Sequence, residues 1–155
     1  MINWTTIVNN SILENSPGFL INRAALRIKK EFQRMLMERG LQVTPEQCVI
    51  LWRLWNFDGC VQRELALTTF KDMTNLTRIL DGLERRELVR RKRDEHDRRC
   101  SRVFLTDAGR ALRGDVLAVT EVLAQRAYKG LSEDQIDHFK NIANMVYANL
   151  NGIPG

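Results

Sequence analysis

Histidine and cysteine are scarce: the chain has two histidines and three cysteines in 155 residues. His96 and His138 stand far apart, and there is no H-E-x-x-H pair and no glycine-rich phosphate loop. The recognisable routes to metal-assisted hydrolysis and phosphoryl transfer are therefore missing, and neither enzymatic activity nor a cofactor is expected. Cys48, Cys60 and Cys100 are odd in number and scattered, without C-x-x-C or zinc-finger spacing, as in reduced cytosolic proteins. No apolar run approaches the roughly 18 residues of a membrane-spanning helix. The opening MINWTTIVNNSILEN lacks a basic segment followed by an apolar one. A cytoplasmic protein with no membrane partner is expected.

Apolar residues make up 44% of the chain and the formal net charge is +5. That is enough to bury the core of a single folded unit, 1–155. The charge favours a polyanionic partner, and a dimer would double it.

The pattern turns helical at Ser16, a residue suited to capping, followed by Pro17 at the first helical position. Ile21, Ala25, Ile28, Phe32 and Met35 then recur at steps of four and three until Gly40. T-P-E-Q at Thr44 is a capping box with Gln47, opening a helix that should carry Val49, Leu51, Trp52 and Leu54 inward. Asp58-Gly59 turns the chain. Two short helices follow, one from Gln62 to about Thr68 and one capped by Asp72, separated by a turn: helix-turn-helix spacing. In the second, Leu76, Ile79, Leu80 and Leu83 share one face. Met73, Thr74, Asn75, Thr77, Arg78, Asp81 and Arg85 occupy the other, with short polar side chains near the N-terminal end, where a recognition helix reads base edges.

Leu88 to Lys92 and Arg102 to Leu105 read as two short antiparallel strands around a polar tip. Across 71–102 there are eleven Lys or Arg against seven Asp or Glu, so most of the positive excess gathers beside the second helix. Within the tip, Asp97 stands two residues before Arg99, close enough to hold the guanidinium in a fixed direction. Two more helices complete the chain. Thr106 starts one carrying Leu112, Val116, Val119 and Leu123; Ser132, boxed with Gln135, starts another carrying Ile136, Phe139, Ala143, Val146 and Leu150. These seams, with the N-terminal helix, exceed what one small winged domain can cover and read as a dimerisation layer.

The spacing D-x-R-x5-L-T-x2-G from Asp97 to Gly109, with the helix-turn-helix before it, resembles the MarR (multiple antibiotic resistance regulator) family of winged helix-turn-helix regulators over 62–112. The resemblance implies a mainly α fold with a small β-hairpin wing. It also implies a DNA-binding core at 44–105 and dimerisation helices at 1–40 and 106–150. The implied partner is a pseudo-palindromic double-stranded operator, bound by a homodimer whose recognition helices enter the major groove and whose wings enter the minor groove. Thr74, Asn75, Thr77 and Arg78 become groove-facing positions, Arg99 the minor-groove finger and Asp97 its orienting partner. Asn and Arg can make bidentate contacts to adenine and guanine edges, and an Arg in a narrow minor groove senses its enhanced negative potential. Arg85, Arg86, Arg90, Arg91, Arg98 and Arg102 would touch phosphates, adding affinity without choosing sequence.

One departure from the family is the corner of the motif. Many relatives have Gly there; this chain has Thr69-Phe70-Lys71, and Phe70 is expected to pack inward. Family members often bind small phenolic or aromatic acids between dimer layer and winged domain; Arg23, Arg27, Trp52 and Trp55 could line such a crevice here. The alternatives are a metal-responsive member using His96, Asp97 and Cys100, a thiol-responsive one, and a non-specific architectural DNA-binding protein. No cysteine occurs in the first forty residues, where some relatives sense peroxides.

Overall fold

The computed structural model of the chain describes residues 15–94, Asp97 and 100–151. Helix α1 spans Pro17–Glu38, and the Ser16 hydroxyl accepts from the Phe19 amide at 3.3 Å. Helix α2 covers Pro45–Asn56, where Thr44 Oγ1 accepts from the Gln47 amide at 3.2 Å and Gln47 Oε1 from the Thr44 amide at 3.0 Å. Both caps satisfy amides that the first turn leaves without partners. Strand β1 (Cys60–Val61), helix α3 (Gln62–Thr68) and helix α4 (Met73–Arg85) follow. Strands β2 (Val89–Arg93) and β3 (Ser101–Leu105) lead to helix α5 (Asp107–Ala127) and helix α6 (Glu133–Leu150).

The expected two-stranded wing is a three-stranded antiparallel sheet in the order β1-β3-β2. Val89 pairs with Leu105 and Arg93 with Ser101, while β1 adds the pair Cys60–Val103 on the other side of β3. Two residues carry no alternation that a sequence reading could detect, so β1 is visible only once β3 lies beside it.

Compact units divide the chain at Thr120 and Glu121, inside α5. In the first unit Leu36, Ile50, Leu51, Leu54, Leu65, Leu76, Leu80, Leu83 and Val103 are fully buried, joined by Val116 and Val119 of α5. Val49 was expected inward, but it is 46% exposed. The buried stripe of α2 runs through Gln47, Cys48, Ile50, Leu51 and Leu54, which turns Val49 to the opposite side of the helix. In the second unit, Ser132 and Gln135 form their capping box at 3.2 and 2.9 Å, and no residue of α6 is buried.

Three helices of the first unit end in the same way. After α1, α3 and α4, the amide of the left-handed residue bonds the carbonyl three back, and the following amide bonds the carbonyl five back. Gly40 (φ 70°), Phe70 (φ 54°) and Glu87 (φ 55°) occupy that left-handed position. Phe70 does not pack inward: it is 73% exposed. The bonds Phe70 N to Leu67 O (3.3 Å) and Lys71 N to Ala66 O (3.0 Å) hold the backbone in a form suited to glycine, and the ring is turned outward.

Candidate nucleic-acid interface

Helix α4 begins where Asp72 Oδ1 accepts from the Asn75 amide at 2.7 Å. Leu76, Ile79, Leu80 and Leu83 anchor its buried side, as their spacing predicts. Thr74 and Arg78 are exposed and Asn75 and Thr77 half-buried on the polar side. Arg78 Nη2 donates to Asn75 Oδ1 at 3.1 Å, linking the two candidate base readers. Thr77 Oγ1 donates to Met73 O at 2.8 Å and accepts from Gln62 Nε2 at 3.2 Å. Its one donor is thus spent inside the protein. Gln62, at the start of α3, is a participant that sequence reading passed over, because the bond joins residues fifteen apart.

Arg85, Arg86 and Arg90 are exposed, and Arg86 Nη1 donates to Gly82 O at 3.3 Å. Arg91 and Arg102 stand differently. Arg91 Nε donates to Glu84 Oε2 at 2.8 Å, its Nη2 pairs with Asp81 and Glu84, and its backbone amide donates to Glu84 Oε1 at 2.8 Å. Hydrogen bonds from Arg91 outweigh partial burial and hold the Glu84 carboxyl below the usual carboxylate range; the same bonds raise the Arg91 guanidinium. Arg102 Nε pairs with the buried carboxylate of Asp94, and its Nη1 donates to Gly59 O at 2.9 Å.

The tip of the wing is built on Asp94, whose Oδ1 accepts from the Asp97 amide at 2.9 Å while its own amide donates to Cys100 O at 3.0 Å. Asp97 is exposed, and its carboxylate accepts from the Cys100 thiol at 3.4 Å. Arg98, Arg99 and His96 lie outside the described residues, and with them the expected hold of Asp97 on Arg99. Among the described residues no three His, Cys, Asp or Glu side chains gather where they could hold a metal ion.

The L-T-x2-G end of the motif fixes the wing to α5. Thr106 Oγ1 donates to Glu87 O at 2.5 Å and accepts from the Gly109 amide at 3.0 Å. A Cβ on Gly109 would lie 2.0 Å from Leu88 O, a distance only glycine permits. Asp58 Oδ1 accepts from Leu105 N at 2.8 Å and its Oδ2 from Arg110 Nη1 at 2.6 Å, tying the α2–β1 turn to the same corner. Trp55 Nε1 donates to Gly109 O at 2.8 Å.

Ala25, Ile28, Phe32, Val49 and Trp52 line a largely apolar cavity of about 640 Å3 in the first unit, with Lys29, Glu46, Cys48 and Lys71 among its other walls. Of the four expected crevice residues only Trp52 lines it. Trp55 meets Trp52 edge to face at 5.7 Å, and Arg27 pairs with Glu31 at 3.7 Å. Lys29 forms an ion pair with Glu46. Burial opposes the Glu46 charge, but the Lys29 bond and local hydrogen bonds prevail and lower its carboxyl pKa.

Burial pushes the Cys48 thiol up to about 12 and also raises Cys60; the Asp97 carboxylate raises Cys100. The reactive thiolate is therefore scarce at all three near neutral pH. Among the described residues no helix is long and apolar enough to cross a membrane.

A capped amphipathic helix with an outward polar side, beside a basic hairpin, is the geometry of winged helix-turn-helix DNA-binding proteins. Comparison with known proteins narrows this class. The profile of the MarR family matches residues 43–101. Over 102 residues the chain is 34% identical to the HTH-type transcriptional regulator TtmR of Methylorubrum extorquens, a match covering 66% of this chain and 51% of that protein. The chain thus spans about half the length of that relative. A crystal structure of a mutant MarR from E. coli complexed with operator DNA superposes with a TM-score of 0.80 at 25% identity, covering 88% of this chain and 99% of that one. Bordetella bronchiseptica BpsR, studied for regulation of its DNA binding by 6-hydroxynicotinic acid, superposes with a TM-score of 0.75 at 25% identity, covering 84% and 97%. Residues 43–101 are a MarR-family domain, and over 88% of its length the chain is similar in fold to a MarR regulator that binds operator DNA.

Proposed function

We propose that the protein is a homodimeric repressor that reads a pseudo-palindromic operator and is released by a small aromatic acid. The observation that carries the sequence-reading part is the outward side of α4, where Thr74, Asn75 and Arg78 project beside the capped N-terminus. Arg78 and Asn75 read base edges in the major groove, and Thr77, its hydroxyl proton already donated, offers its methyl group to a thymine. Arg85, Arg86, Arg90 and Arg98 hold phosphates. Arg99 enters the minor groove with Asp97 orienting it.

Selection of genomic fragments by the purified protein tests this reading: a shared pseudo-palindrome with half-sites about one helical turn apart supports it, and fragments without a common sequence refute it. Asn75→Ala or Arg78→Ala relaxes preference at particular positions, each lost bidentate contact costing about 1–3 kcal/mol of discrimination. Arg99→Ala and Asp97→Ala weaken operator binding with unchanged melting, the Arg change more.

Two further features support dimer and effector. Leu20, Ile21 and Leu26 of α1 are exposed, as are Phe139, Ile142, Val146 and Leu150 of α6, on helices suited to a second copy. The cavity at Trp52 has apolar walls for an aromatic ring and Lys71 for a carboxylate, Lys29 being paired with Glu46. Titration calorimetry with 6-hydroxynicotinic acid and related aromatic acids checks it: binding that vanishes in Trp52→Ala supports the site, and binding unchanged in that variant removes it.

A further inference from the structure

Strand β2 is an edge of the sheet, since β3 covers only one of its sides. An edge strand leaves every second amide without a partner. The recognition helix supplies one: Glu84, in the last turn of α4, accepts from the backbone amide of Arg91 at 2.8 Å and, through its other oxygen, from Nε of the same residue at 2.8 Å. Asp81, one turn earlier, takes the far end of the guanidinium. One strand residue is thus fastened to two successive turns of the helix by its main chain and its side chain. Planar, multiply bonded Arg–carboxylate contacts fix direction as well as distance.

We propose that Arg91 is a positioning residue, which sets the angle and spacing between recognition helix and wing through Glu84 and Asp81, and is not a phosphate contact. The inference rests on the reading of α4 and the wing as the two DNA-contacting elements. Arg91 is half-buried and its donors face the two carboxylates, whereas Arg85, Arg86 and Arg90 are exposed. Simultaneous entry into a major and an adjacent minor groove requires a fixed offset between the two elements. A wing free to swing loses operator affinity without losing charge. The charge pattern makes the idea separable from simple electrostatics. Glu84 is an anion beside a DNA-binding surface, so its removal should strengthen binding to any duplex, and it would free Arg91 to meet a phosphate. If the bracket positions the wing, removal weakens operator binding instead.

The test is a double-mutant cycle of Glu84→Ala and Arg91→Ala on the full chain, with affinity measured for the selected operator and for a scrambled duplex at one salt concentration. Each single change is expected to lose about tenfold for the operator. Glu84→Ala should hold or gain affinity for the scrambled duplex, and Arg91→Ala should cost less than about threefold once Glu84 is absent. Operator binding by Glu84→Ala equal to or tighter than the parent protein overturns the proposal, as does an undiminished Arg91→Ala penalty in the Glu84→Ala background. A second readout needs no DNA. Hydrogen exchange at the Arg91 amide should quicken in Glu84→Ala while amides of β3 keep their protection; an unchanged Arg91 amide contradicts the bracket. Should the parent protein show no operator preference, the DNA reading fails, and the exchange result still decides the bracket.

Discussion

Gly109 shows what a single atom costs at the corner between wing and α5. An alanine Cβ would meet the Leu88 carbonyl oxygen at 2.0 Å, a contact with backbone that no side-chain rotation relieves. Gly109→Ala is expected to lose about 3 kcal/mol in urea melts, at the upper end of overpacking costs. Gly114, further along α5, has nothing within 4 Å of such a Cβ; Gly114→Ala should gain about 0.5–1 kcal/mol. The L-T-x2-G spacing made Gly109 noticeable in the sequence. Its reason was not legible there, because Leu88 meets it only across the turn from β3 into α5. Glu87, exposed and held at φ 55°, points the other way: Glu87→Gly relieves a left-handed backbone and should raise stability by about 1 kcal/mol. Cys100 gives a chemical check at this scale. The Asp97 carboxylate raises its thiol pKa, so Asp97→Asn should quicken alkylation of Cys100 by iodoacetamide at neutral pH. An unchanged rate would mean that the contact is not made in solution.

At the scale of elements, local signals were legible and distant ones were not. The caps at Ser16, Thr44, Asp72 and Ser132 are visible in the sequence because a cap and its amide lie three residues apart. Removing the Asp72 carboxylate should therefore cost about 1 kcal/mol, measured as lost stability of Asp72→Ala. By contrast, β1 depends on Cys60 meeting Val103, and the bracket at Arg91 on two carboxylates that no periodicity links to the strand. Phe70 departs from its expected inward packing for a related reason: an apolar side chain favours the interior, but the helix ending fixes its backbone first and faces the ring outward. Between α1 and α2, Lys29 and Glu46 make a pH-sensitive tie. Because the folded Glu46 pKa is lowered, its contribution is present above the ordinary carboxylate range and is lost as pH falls through the lowered value. Melts between pH 7 and pH 3 should fall less steeply for Glu46→Gln than for the parent; identical slopes would show the pair to be inert.

For the whole molecule, charge and exposed apolar surface point to different partners. The net charge of +5 suits a polyanion, whereas the exposed apolar residues of α1 and α6 suit another protein surface. Light scattering should return twice the mass of one 155-residue chain at micromolar concentration; a single-chain mass contradicts the homodimer. The basic segment alone would serve a non-specific DNA-binding protein equally well. What separates the two is whether the side chains on α4 distinguish bases. The most direct measurement is the affinity for the selected operator against that for a scrambled duplex of equal length and composition, at one stated salt concentration. A preference of about a thousandfold or more is expected of an operator-reading regulator; equal affinity for the two duplexes would contradict it.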